Sequence, residues 1–72
     1  MGFGRNPHVA KAQAEEQKAQ AASNRSAREL AWREAARQWD RATERETDAK
    51  RRQAYGVKAE EARANADNPP AA

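Results

Sequence analysis

SARELAWREAARQWDRATERE, residues Ser26 to Glu46, is the stretch whose reading decides the fold. At about 100° per residue, Trp32, Ala35, Ala36, Trp39, Ala42 and Thr43 fall within about 120° of one another on a helical wheel. The opposite side carries Arg33, Arg37, Arg41 and Arg45, with Glu34, Asp40 and Glu44 at spacings that allow i,i+3 pairing. Two tryptophans seven residues apart therefore share one face of an amphipathic helix, and the arginines share the other.

Upstream, Ser23-Asn-Arg-Ser26 gathers residues that favour caps and turns, and Ser26 with Glu29 has the S-x-x-E spacing of a capping box. A break is expected there. Before it, residues 7 to 22 are rich in Ala, Gln, Glu and Lys, all good helix formers, entered through Asn6 as N-cap and Pro7 at the first helical position. The alanines of this segment divide into two stripes, Ala10, Ala14 and Ala21 on one side and Ala12 and Ala19 on another, with no large side chain after Val9. It reads as helical by propensity, packing loosely or standing free. Residues 1 to 6 read as a flexible head.

Downstream, Thr47-Asp48 signals another cap, and a third helix is expected over about 49 to 66 with Tyr55, Ala59, Ala62 and Ala66 on one narrow face. Gly56 falls mid-helix, a position that weakens the helix but lets a neighbour approach closely, and Val57 points away from Tyr55. Asp67-Asn-Pro-Pro70 ends the helix and leaves a short tail. The expected architecture is all-α, a two- to three-helix hairpin or small bundle, with Leu30, Trp32, Trp39 and Tyr55 as candidate core.

At 72 residues with a 38% apolar fraction supplied mostly by alanine, the core is thin. Burying an aromatic or leucine is worth roughly 2 to 3 kcal/mol, so few large side chains predict marginal stability for a lone chain. There is no cysteine for a disulfide or a thiolate metal site. No apolar run approaches the length of a membrane span and none reads as a signal peptide, so a cytoplasmic location without membrane insertion is expected.

Catalytic chemistry finds little footing. His8 is the only histidine, has no thiol or second imidazole to join it, and reads as a surface residue. Glu15-Glu16 and Glu60-Glu61 are adjacent pairs that point in different directions and read as solvated charge. Gly2 and Gly4 form a bare G-x-G without a preceding strand. No catalytic residue, metal or cofactor is expected.

What remains is contact with other macromolecules. Trp32, Trp39 and Tyr55 either fill the seam between the second and third helices or leave one indole as an anchor, since Trp, Tyr and Arg dominate binding energy at interfaces. Arg33, Arg37, Arg41 and Arg45 are either a self-paired solvated face or a binding stripe. Lys50, Arg51 and Arg52 add a basic cluster where the helix dipole disfavours cations, the best hint of nucleic acid in the chain. The formal charge is +3, and residues 1–22, 23–47 and 48–72 carry three basic against two acidic, six against five, and five against four. Interspersed charge of this kind favours another protein or a second copy of the chain as partner, with nucleic acid the alternative.

Ala35-x-x-x-Trp39-x-x-Ala42, followed by a turn and another helix, resembles the second helix of a tetratricopeptide unit passing into the next. Lys58-Ala-Glu-Glu-Ala62-Arg63 is similar to the last helix of microtubule-interacting-and-trafficking domains. The resemblance spans about residues 27 to 66 and implies a small adaptor whose groove takes a helix or short peptide.

Overall fold

The computed structural model describes residues 6 to 67; of the head expected over 1–6 and the tail expected over 67–72, residues 1–5 and 68–72 lie outside the described residues, whereas Asn6 is a buried N-cap and Asp67 closes the last helix. It contains three helices, α1 (Pro7–Ala21), α2 (Arg25–Arg45) and α3 (Ala49–Asp67).

Each helix begins on a side-chain cap. Asn6 Oδ1 accepts the His8 N–H at 3.1 Å, with Pro7 in the first turn, where a missing N–H costs nothing. The break before α2 lies where the sequence predicts it, but the cap does not. Asn24, in extended conformation, accepts the Ala27 N–H at 2.8 Å, so Ser26 already lies inside the helix and the expected Ser26–Glu29 capping box does not form. Asp48 starts α3, its Oδ2 accepting the Arg51 N–H at 3.0 Å and its carbonyl the Arg52 N–H at 2.9 Å.

The short links make neighbouring helices antiparallel. Asn6 Nδ2 donates to the Ala42 carbonyl at 2.9 Å, bringing the start of α1 to the end of α2. Arg63 meets Asp40 at 2.9 Å and Arg33 meets Asp67 at 3.0 Å, bringing the end of α3 back along α2. Thus α1 is docked, where its weak pattern led us to expect loose packing or none. Propensity forms it, but Ala12 and Ala19, fully buried, let it lie close against α2. The other stripe, Ala10, Ala14 and Ala21, faces solvent.

α2 packs against both neighbours, while α1 and α3 scarcely approach each other. Gln38 faces α1 and Asp40 faces α3, directions about 160° apart around α2. The result is a three-helix layer of 41 × 21 × 13 Å in which α1 and α3 flank α2.

The core is Ala12, Ala35, Ala36, Trp39, Ala42, Ala59 and Ala62, with Val9, Trp32 and Tyr55 half-buried against it. Trp39, 2% exposed, is its only large side chain. Leu30, expected in the core, is 70% exposed. It lies about 160° from Trp32 on the wheel, among the arginines, so its hydrophobicity does not outweigh its helical position. Gly56 also departs from expectation: a Cβ built there meets nothing within 4 Å, so no neighbouring helix uses the missing side chain. Among the described residues, no helix is long and apolar enough to cross a membrane.

Candidate interaction surfaces

The face of α2 between α1 and α3 is organised around Trp39. Its Nε1–H donates to Glu16 Oε2 at 2.7 Å, tying α2 to α1. The same carboxylate oxygen lies 3.9 Å from Lys58 Nζ on α3, and that ammonium stands 5.6 Å from the centroid of the Trp39 ring. The Tyr55 ring packs beside the indole, centroids 5.6 Å apart and planes tilted by 32°. One indole of α2 thus receives a carboxylate at its polar edge from α1 and, from α3, a cation towards its face and a second aromatic ring. Indole burial supplies the hydrophobic gain, and Glu16 satisfies the one donor that burial would otherwise strand.

Glu16 is therefore not the solvated charge expected of the Glu15-Glu16 pair; its side chain is 18% exposed. The signal was present in the sequence, because Glu16 follows Ala12 by one helical turn and so shares the buried stripe. Glu15, on the other edge of that stripe, pairs with Lys18 at 3.3 Å. His8 also departs from a plain surface reading. It is half-buried, with Nδ1 3.0 Å from Gln38 Oε1, a geometry that suits a proton on Nδ1. Gln38 in turn donates to Glu34 at 3.0 Å.

Of the three aromatic candidates, Trp39 is core, whereas Trp32 and Tyr55 are half-buried. Trp32 lies two helical turns before Trp39 on the same stripe of α2.

The arginine face divides. Arg33 bridges Glu29 at 3.3 Å and Asp67 at 3.0 Å, and these hydrogen bonds, Glu29 first, raise its pKa above the ordinary guanidinium value. Arg37 lies 3.8 Å from Glu34. Arg41 and Arg45 make no ion pair among the described residues, and Asp40, expected to serve the ladder, is taken by Arg63 of α3. The cluster at the start of α3 divides too. Arg51 meets the buried Glu46 at 3.0 Å, which gives that cation a local reason that helix polarity did not. Lys50 and Arg52 are exposed and make no ion pair among the described residues. Glu46 accepts the Asp48 N–H at 3.0 Å, and this bond, followed by the Arg51 guanidinium, holds its carboxyl below the usual carboxylate range despite burial.

Folding also gathers cations: the antiparallel helices set Arg41 and Arg45, at the end of α2, and Lys50, Arg51 and Arg52, at the start of α3, beside the start of α1, interleaved with Glu44, Glu46 and Asp48. No group of three or more histidine or acidic side chains arranged to hold a metal ion occurs among the described residues.

No family model matches this chain, and no curated protein or solved structure matches it either.

Proposed function

We propose that the chain is a non-catalytic protein–protein interaction module, an adaptor, regulator or assembly subunit, that receives an amphipathic helix on the face of α2 between α1 and α3. The observation that carries this reading is the half-buried Trp32, set on α2 between two helices that scarcely meet each other. A fourth helix laid there covers Trp32 and Tyr55 and extends a core that contains no large side chain but Trp39. Interface energy concentrates in such aromatic anchors. The likeness of residues 27 to 66 to helical-hairpin adaptors points the same way, without support from any family model.

Selection of helical peptides displayed on phage tests the reading. The expected binders protect amides on the Trp32 face in NMR spectra and lose affinity for a Trp32→Ala variant whose helicity is unchanged. Binders that are indifferent to Trp32, or that map to the outer face of α2, would overturn it.

A second reading, nucleic acid bound where α2 ends and α3 begins through Arg41, Arg45, Lys50 and Arg52, is favoured by these four exposed cations making no ion pair among the described residues. Arg33, Arg37 and Arg51, each within ion-pair distance of an acid, have less to offer phosphate. Salt separates the two readings. Phosphate contacts make oligonucleotide affinity fall steeply with ionic strength, and a tryptophan-anchored peptide responds little.

A further inference from the structure

The face of α3 turned away from the core carries Lys50, Ala54, Val57 and Glu61 within about 60° on the helical wheel, opposite buried Ala59, Ala62 and Ala66. All four are exposed, Val57 at 49%, and Lys50, Gln53, Ala54, Val57 and Lys58 line a shallow open depression. Among the described residues, neither Lys50 nor Glu61 makes an ion pair or side-chain hydrogen bond. The stripe reads cation, two apolar residues, anion, along one exposed helix.

That order is complementary to its own reverse. When a second α3 is laid antiparallel about a two-fold axis, Lys50 falls opposite the partner's Glu61, Ala54 opposite the partner's Val57, and the symmetric pairs repeat both contacts. The outer face of α2 behaves differently: an antiparallel pairing centred on Arg37 sets that arginine against its own copy and Arg33 against the partner's Arg41. We infer that the outer face of α3 is a homodimer interface, its occupant a second copy of this chain, held by Val57 packing on Ala54 and by two Lys50–Glu61 pairs. One helix face buries little area, so the dimer is weak and exchanging, at the low end of interface sizes. It leaves the Trp32 face of α2 free on each copy and does not rest on the reading of that face. It makes the assembly bivalent.

Charge exchange provides the test. Lys50→Glu and Glu61→Lys each put like charges together at both ends of the homodimer, and each suits the helix dipole, Glu near the N-terminus and Lys towards the C-terminus, so neither threatens the fold. Sedimentation from about 10 µM to about 1 mM, where small interfaces dissociate, is expected to show the wild type associating and each single variant weakened about tenfold or more. Mixed one to one, the two variants are expected to form a heterodimer, because glutamates on one copy then face lysines on the other. The double variant is expected to dimerise again. A wild type that stays monomeric throughout, single variants that associate unchanged, or a mixture that stays monomeric would each overturn the proposal.

Discussion

Among the described residues, Trp39 is the one large side chain buried in the core, and both flanking helices hold it. Truncation to alanine empties the centre of an otherwise alanine core, at about 3 to 5 kcal/mol, which a small domain does not survive. A subtler test isolates its polar edge. Glu16→Ala leaves the indole N–H without its acceptor and is expected to cost about 1 to 3 kcal/mol, whereas Glu16→Gln keeps an acceptor and loses less, as read by urea midpoints. Equal losses would mean that charge, through Lys58, matters more than the hydrogen bond. Glu46 makes a prediction in pH. Its folded pKa is lowered, so the stability it adds is present above the unfolded carboxyl value of about 4.3 and lost as pH falls through the lower folded value. Glu46→Gln is therefore expected to be less stable than wild type at pH 7, with the gap closing under acid. A gap constant from neutral pH to pH 3 would contradict that assignment.

At the scale of elements, the wheel of residues 26 to 46 was largely legible: Ala35, Ala36, Trp39 and Ala42 are buried as the sequence names them, but Ala31, which it did not name, is buried too, and Trp32 and Thr43 are half-buried. Leu30 was misjudged because its hydrophobicity was weighed apart from its angular position, and the same wheel excludes it. α1 was misjudged for a different reason. Periodicity measures large apolar side chains, and a helix that docks through two alanines, an Asn6 bond to Ala42 and a Glu16 bond to Trp39 gives almost no such signal. Cap choice turned on two residues. Asn24→Ala is expected to destabilise by about 1 kcal/mol and Ser26→Ala to change almost nothing, a difference that thermal melts resolve; the reverse order would restore the capping box. Gly56 occupies a helix with open space around it, so Gly56→Ala is expected to stabilise the protein by about 0.4 to 1 kcal/mol. A loss on that change would show that another chain comes close at Gly56.

On the scale of the whole molecule, the candidate surfaces were only partly legible, because they depend on which helix lies beside which. Which cations are left without an acid, such as Arg41 once Asp40 turns to Arg63, emerges only after antiparallel packing, and the half-open face around Trp32 depends on α1 and α3 taking opposite flanks of α2. The central claim is that three thin helices fold as one unit pinned at Trp39, with Trp32 left half open. Its most direct test is a urea titration of a Trp32→Phe variant, following Trp39 emission and far-ultraviolet circular dichroism together. Blue-shifted emission at zero urea, with both signals lost in a single coincident transition, is the predicted result. Red-shifted emission in the absence of urea, or helicity that melts in two stages with α1 released first, would contradict it.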